Sequence, residues 1–409
     1  EHIRGQFSFA IWDSQLKRLL LARDHYGLKP LYFTRVGQGL VFASEIKAIL
    51  EMVRPDDFEL DKEEIPNYLQ HRYVPNPNTL FSGISKLRPG SYATWELEGS
   101  FCEVNYFQPF ELRREEWEKK PEDEIIREFS EHLERSVRMR MVSDVPFGAF
   151  LSGGIDSASI VAIMAEISQL PIKTFSVGFE ESENSELEYA RTVAEAFGCE
   201  HHELIVKPED LPSYLEDLID LRDAPVAEPS DIPIFLLSKF ASKEVKMVLT
   251  GEGSDEILGG YEKYFLEIYG SRYRKMVPRF IRESIVSMSI NSLPKKFWRW
   301  KMAINTLNIT DNDERMAAWF GGMRPSEIED FLIGDGIRVA PSRWSDEHSE
   351  IRNLMDFDQR FWLPDNLLER GDRMTMGASI EARMPFMDVE LAKFVSSLPD
   401  SMRVHSKTT

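Results

Sequence analysis

Two glycine-rich segments carry the residue types best suited to chemistry. The first is Phe150-Leu151-Ser152-Gly153-Gly154-Ile155-Asp156-Ser157. Adjacent glycines let successive backbone N–H groups turn toward one point, and Ser152 and Ser157 add hydroxyl donors. A helix beginning just after them would offer its positive end, completing a cradle for a phosphate or pyrophosphate. Asp156 then suits a magnesium ion, because Mg2+ on phosphates usually takes one or two protein carboxylates. A plain strand-to-helix turn capped by Ser or Asp would use the same residues. The whole string in a strand–turn–helix setting favours the cradle. Neither a Gly-Lys-Ser ending nor a Gly-x-Gly-x-x-Gly spacing is present, so the Walker and dinucleotide fingerprints do not fit.

The second segment is Val248-Leu249-Thr250-Gly251-Glu252-Gly253-Ser254-Asp255-Glu256, followed by Gly259-Gly260-Tyr261. Taken alone, it reads equally well as an acidic surface turn. A parallel sheet would set it beside the first loop, where Asp255 could complete a magnesium site with Asp156. A third region runs from Leu363-Pro364-Asp365-Asn366 through Asp372-Arg373-Met374 to Glu381-Ala382-Arg383-Met384-Pro385-Phe386-Met387-Asp388. Arg370, Arg373 and Arg383 there supply fork-shaped cations for phosphates or carboxylates. For Arg370, ordinary ion pairing is the preferred reading.

The elements that must position these loops follow from periodicity. Residues 1–110 read as mostly β, with short apolar runs at Phe7–Trp12, Leu19–Ala22, Leu31–Arg35 and Leu40–Ala43 and a hairpin-like pair centred on Glu98-Gly99-Ser100. Residues 111–124 are charge-dense and suit a linker. From 125 the period changes: Ile125, Ile126, Phe129, Leu133, Val137 and Met141 make one helical face. Strand-length runs at Phe147–Leu151, Thr174–Val177, Glu203–Val206 and Met247–Thr250 then alternate with helical segments. The intervening helices are expected at Ala158–Ile167, Leu187–Phe197 and Ile234–Ala241. That alternation predicts an α/β fold with a parallel sheet. Residues 262–350 read as helical and aromatic-rich, with Phe297, Trp298, Trp300, Trp319 and Phe320, and carry no recognisable chemistry.

Composition narrows the partners. The 409 residues include 69 acidic and 49 Lys or Arg residues, for a formal charge of -20, which disfavours large nucleic acids. No apolar run reaches membrane-spanning length, and no signal-peptide pattern opens the chain. Two cysteines, Cys102 and Cys199, are too few for a disulfide framework, and a reducing cytoplasm is expected. The opening at Glu1, with a strand-like run almost at once, and the unmarked close at Thr409 read as ends cut from something larger.

The three motifs in this order resemble the synthetase domain of glutamine-dependent asparagine synthetases, within the pyrophosphatase-loop (adenine nucleotide α-hydrolase-like) ATP family. Arg4-Gly5-Gln6-Phe7-Ser8-Phe9-Ala10-Ile11-Trp12-Asp13, Ala22 through Tyr32, and Phe42-Ala43-Ser44-Glu45-Ile46-Lys47 are similar to the later strands of that family's antiparallel β, N-terminal-nucleophile glutaminase domain. The resemblance implies a late part of the class II glutaminase domain at 1–110, a linker at 111–124 and the ATP-dependent synthetase domain at 125–409. It implies adenylation of aspartate by ATP through a β-aspartyl-AMP intermediate and displacement of AMP by ammonia from glutamine. Carried over, Ser152, Gly153, Gly154, Asp156 and Ser157 hold pyrophosphate, and Leu151, Val177, Thr250 and Gly251 line the adenosine pocket. Asp156 and Asp255 bind Mg2+, and Glu252 supports formation and breakdown of the acyl-adenylate. Arg373, Glu381 and Arg383 shape the amino-acid end and are grouped with Glu252 as catalytic.

The expected partners are the small molecules aspartate, ATP, and glutamine or ammonia, with no nucleic acid or membrane and with a homodimer as the assembly. The family's glutamine-cleaving cysteine and glutamine-holding residues lie in a segment without counterpart here, so this chain is expected not to hydrolyse glutamine. Three alternatives stay open: an amidotransferase acting on a sugar acid or a β-lactam precursor, a nucleic-acid-modifying ATP enzyme disfavoured by the charge, and a non-catalytic ATP-binding relative.

Overall fold

The computed structural model describes residues 3–53, 58–109, 114–180, 186–282 and 348–404, with short pieces between 304 and 345. Seven strands come first: β1 (Ser8–Asp13), β2 (Arg18–Arg23), β3 (Tyr32–Val36), β4 (Gly39–Ala43), β5 (Ile84–Lys86), β6 (Ser91–Glu96) and β7 (Phe101–Asn105). They form two antiparallel sheets, ordered β1-β2-β6-β7 and β4-β3-β5. Leu19 and Leu21 of β2 point inward with Phe33, Leu87 and Ala93, following the period-2 alternation of a half-buried strand. Two short helices, Ile46–Met52 and Ile65–His71, separate β4 from β5 and were not expected. The first is held by Ile46 and Ile49, three residues apart and both packed against Tyr32 and Ile84.

Five further strands, β8 (Phe147–Phe150), β9 (Lys173–Phe179), β10 (Glu200–Val206), β11 (Met247–Leu249) and β12 (Glu381–Arg383), form one sheet in the order β10-β9-β8-β11-β12. Every neighbouring pair is parallel. Ala149, Met247, Val248 and Leu249 are buried, as strands covered on both faces must be. The chain leaves β8 toward one side of the sheet and later returns on its other side at β11. Such a reversal opens a crevice at the carboxyl ends of the strands, where open α/β sheets bind ligands.

The expected helices form at Glu122–Arg140, Ile155–Ile167, Glu186–Ala196 and Asp231–Ala241. In the first, acidic Glu122, Asp123 and Glu124 open the helix and Arg138 and Arg140 close it, which suits the helix dipole. Its apolar face is narrower than its periodicity predicts: Ile125, Leu133 and Val137 are buried, whereas Ile126 is exposed. Within 111–124, positions 111–113 lie outside the described residues. Glu115–Lys119 forms a short 3-10 turn whose Trp117 is buried and donates from Nε1 to Ser397 Oγ at 2.9 Å.

Toward the C-terminal side, Glu350–Phe357 continues into a π-helical run, Asp358–Leu368, and then into the helix Glu369–Met376. This rod docks on the antiparallel layers. Tyr32 Oη donates to Glu369 Oε1 at 2.7 Å, and Lys86 Nζ reaches Glu369 Oε2 at 3.0 Å and Asp365 Oδ1 at 3.3 Å. Lys29 Nζ meets Asp372 Oδ1 at 2.6 Å. Of the aromatic stretch at 262–350, the helix Glu262–Met276 is present and Trp319 is buried, while Phe297, Trp298, Trp300 and Phe320 lie outside the described residues. Among the described residues no helix is long and apolar enough to cross a membrane.

Candidate active site

Both glycine loops emerge at the reversal point. Pairing of β8 with β11 sets Ala149 beside Leu249, so the segments starting at Phe150 and Thr250 leave the sheet side by side. In the first loop Gly153 has φ +79°, a left-handed conformation that favours glycine. A Cβ there would lie 2.7 Å from Glu186 O and 2.8 Å from Tyr189 Cβ. Ser152 and Ser157 brace the turn: Ser152 N donates to Ser157 Oγ at 3.2 Å, and Ser157 Oγ donates to Gly154 O at 3.1 Å. Gly154 is the N-cap of Ile155–Ile167, and no side chain caps that end. The helix therefore offers its first N–H groups and its dipole to an anion.

In the second loop Gly251 permits the close approach of the two segments. A Cβ at that position would sit 3.1 Å from Ser157 N and 3.2 Å from Asp156 Cβ. Ser254 Oγ returns to Gly251 O at 3.0 Å and tightens the turn into the helix Ser254–Leu258. Thr250 N donates to Arg383 O at 3.0 Å, and Thr250 Oγ1 is buried without a hydrogen-bond partner. Leu151 N donates to Phe175 O at 2.9 Å, while Ser176 Oγ donates to Leu151 O. The Leu151 side chain belongs to the main core, and Val177 packs beside that core two residues beyond the last β8–β9 pair.

Three carboxylates around the loops are pushed toward neutrality. Burial raises Asp156, partly countered by a hydrogen bond with Ser254. Burial, with the negative charge of Asp156 added, lifts Asp255 to about 6. Burial lifts Glu252 to about 7 against the opposing pull of Arg370. Glu252 Oε2 has no hydrogen-bond partner, and a Cβ at Gly371 would lie 2.6 Å from it. A cation between Asp156 and Asp255 would relieve their repulsion, so their donor chemistry fits Mg2+. Among the described residues no group of three His, Cys, Asp or Glu side chains is arranged to hold a metal. The remaining ligands would come from phosphate oxygens and water.

The residues singled out in the third motif do not all converge here. Arg373 is buried against the Tyr32 ring, with 5.4 Å from Cζ to the centroid, and pairs with Asp223 at 3.3 Å and Glu45 at 3.8 Å. Its charge faces the antiparallel layers, yet Nε, Nη1 and Nη2 are all buried without a hydrogen-bond partner. Glu381 and Arg383 pair with each other at 2.7 Å. Parallel register places Glu381 level with Met247, at the start of β11 and away from its carboxyl end. Arg383 Nη1 donates to Arg140 O at 2.9 Å and Val142 O at 2.7 Å, capping the helix that precedes β8. Sequence reasoning passed over Arg222, Glu228 and Asp231, and read Arg370 as an ordinary ion-pairing residue. The available signal was two acids three positions apart, Glu228 and Asp231, at the head of an apolar helix.

A parallel sheet with a glycine turn at its reversal point, carrying antiparallel layers before it, has the α/β fold of the pyrophosphatase-loop class. The chain belongs to the asparagine synthase family, whose model matches residues 128–409; a glutamine amidotransferase domain model matches residues 1–107. Asparagine synthetase [glutamine-hydrolyzing] 1 of Bacillus subtilis (strain 168) is 32% identical over 415 residues, covering 100% of this chain and 64% of that protein. Asparagine synthetase [glutamine-hydrolyzing] 3 of the same organism is 29% identical over 421 residues, covering 99% and 63%. Amidase chry2 of Gibberella zeae is 28% identical over 449 residues, covering 98% and 64%. The chain thus spans a little under two thirds of the length of these relatives.

Proposed function

We propose that the complete protein is a ligase that amidates aspartate to asparagine at the expense of ATP. In this reading 1–110 is the late part of a glutaminase domain, 111–124 a connection and 125–409 the synthetase unit, working in the cytoplasm. The observation that carries it is the meeting of two glycine loops at the sheet reversal, with Asp156, Asp255 and Glu252 gathered around them.

Ser152, Gly153, Gly154 and Ser157 bind the pyrophosphate portion, and Leu151, Val177, Thr250 and Gly251 line the adenosine side. Asp156 and Asp255 hold Mg2+, which neutralises charge on the phosphates when bound. An oxygen of the aspartate β-carboxylate attacks the α-phosphorus, and the bond to pyrophosphate breaks. Ammonia then attacks the acyl carbon and AMP leaves. Glu252, with a pKa near neutrality, is poised to take the proton that the attacking ammonia loses. The protein contributes positioning and electrostatics rather than a nucleophile. Arg373, Glu381 and Arg383 contribute to the scaffold in this mechanism.

A second reading keeps the adenylation chemistry with another carboxylate, and the likeness to a fungal amidase favours keeping it in view. Pyrophosphate release by the complete protein with ATP, Mg2+ and ammonia tests both. Release that depends on aspartate and is lost in Asp156→Ala supports asparagine synthesis. Release with only another carboxylate transfers the mechanism to that acceptor, and no release with any acceptor removes both.

A further inference from the structure

The rod that docks on the antiparallel layers is wound unusually in its middle. Glu350–Phe357 and Glu369–Met376 are α-helical, but the 11 residues between them, Asp358–Leu368, are π-helical. Such turns mostly occur one at a time inside α-helices, and frequently at functional sites. Pro364, within the run, supplies a local cause. In an α-helix the N–H of residue 364 would donate to Arg360 O; proline has no N–H, and its ring would press on that carbonyl.

Asn76, in the segment of the antiparallel layers that leads to β5, meets this run at two points. Its Nδ2 donates to Arg360 O at 3.1 Å, the carbonyl that Pro364 would leave without a donor in an α-helical register. Its N and Nδ2 also donate to Asp365 Oδ2, at 2.7 and 2.8 Å. Arg360 and Asp365 are separated by the interval of a π-helical hydrogen bond, so the clip fits the wide register and would be misplaced on a tighter coil. Immediately before the clip, the run grips the surroundings of the second glycine loop. Gln359 Nε2 donates at 3.1 Å to the carbonyl of Glu256, the residue after Asp255. Asp358 accepts from Lys263 Nζ at 2.8 Å and from Tyr264 Oη, both in the helix that follows Gly259-Gly260. That turn is tight: a Cβ on Gly260 would meet Asp255 Oδ1 at 2.0 Å. A shift on either side of it therefore reaches the Asp255 carboxylate.

We propose that Asn76 is a positioning residue for the second glycine loop: it clips the wide run across Arg360 and Asp365, and the run carries that constraint through Gln359 and Asp358 to the helix bearing Asp255. Arg360 and Gln359 are adjacent, so a change of coil at the first moves the amide that the second presents to Glu256. The antiparallel layers thereby form part of the synthetase site itself, apart from any role in supplying ammonia. The positional claim stands on these contacts alone, and its consequence for turnover rests on the amidation reading above.

The test uses the complete protein and reads hydrogen exchange at the amides of Ile257, Gly259 and Gly260, which donate to Gly253 O, Asp255 O and Asp255 O. Asn76→Ala should speed their exchange at least ~10-fold and leave the amides of β8 and β9 unchanged, because opening is local to the loop. Gln359→Met, which cuts the path at its last link, should do the same and carries the test if Asn76→Ala does not fold. The two effects should not add, as expected of residues on one path. With ammonia supplied directly, acceptor-dependent pyrophosphate release by Asn76→Ala should fall about 10-fold in kcat, while the KM for ATP changes less than ~2-fold. Unchanged exchange at these three amides in the folded variants overturns the positioning role, whatever reaction the protein performs. Wild-type protein that releases no pyrophosphate with any acceptor removes the amidation reading, and the exchange result then decides the positioning role by itself.

Discussion

The helix Glu369–Met376 separates two buried charged regions that differ in almost every respect except burial. On its contact with the antiparallel layers, Glu369 accepts from Tyr32 and Lys86; burial alone would raise its pKa, but Lys86 and Arg373 hold it down at about 2. On the other side Glu252 has an unpartnered oxygen and rises to about 7. In the helix that follows, Ser254–Leu258, burial pushes Glu256 up to about 8 despite a hydrogen bond from the Tyr261 hydroxyl. Desolvation acts on all three carboxylates, and the supply of donors decides its outcome. In the first region Glu369 is supplied with donors and serves the docking, although the three guanidinium nitrogens of Arg373 beside it have no hydrogen-bond partner. The second is left short of partners, as expected of groups that meet a ligand or change protonation.

Four substitutions would break or sharpen this contrast. The largest expected effect is on turnover: Asp255→Asn should lower acceptor-dependent pyrophosphate release at least ~100-fold, as loss of charge stabilisation in a reacting site does. Its melting temperature should not fall, because a neutral amide removes a buried like-charge repulsion with Asp156. Next is Lys86→Met on the docking side. It strands Glu369 and Asp365 without their cation and should cost about 3–5 kcal/mol in denaturant unfolding. A loss below 1 kcal/mol would show that this region is not held by its charges.

The third substitution, Glu252→Gln, should act in opposite directions on stability and turnover. A folded-state pKa near 7, raised from about 4.5 in the unfolded chain, gives a stability contribution that is full below 4.5. It is lost as pH rises through 7. The glutamine variant should escape that loss and be more stable at pH 8 by on the order of 1–3 kcal/mol, while losing turnover. Equal stability of variant and wild type across pH 5–8 would refute the raised pKa. The smallest effect is expected from Arg383→Gln, which removes the cap on Arg140 and Val142. It should cost about 1 kcal/mol and change turnover less than about twofold. A collapse of activity in a well-folded Arg383→Gln protein would return that residue to the reacting site.

The strands around the loops were legible because apolar runs bounded by turn residues leave few alternatives, and the glycines within Ser152 through Ser157 marked a strand-to-helix turn that the structure contains. The helix Ile46–Met52 was not legible: it spans two turns, and Glu45 at its start makes no side-chain cap. Glu381 and Arg383 show a different limit. Their motif follows closely after Arg373, but the end of the sheet they occupy depends on the register of β12 against β11, which no local pattern encodes. The cluster around Asp231 was hidden for a related reason. Its members are drawn from two distant stretches of chain, Arg222 to Asp231 and Asn366 to Arg370, and a lone carboxylate at a helix start reads as an ordinary first-turn acid.

The docking of Glu369, Asp365 and Asp372 onto Lys86 and Lys29 bears on how this molecule can be dissected. Expressing residues 125–409 alone would strip both lysines from a surface made to meet them. Three carboxylates now neutralised in the interior would become an acidic stripe on an already acidic unit. A usable excised domain would need those positions recoded, for instance Glu369→Gln with Asp365→Asn. The same recoding in the intact protein would strand the two lysines, so a sequence optimised for one format is wrong for the other.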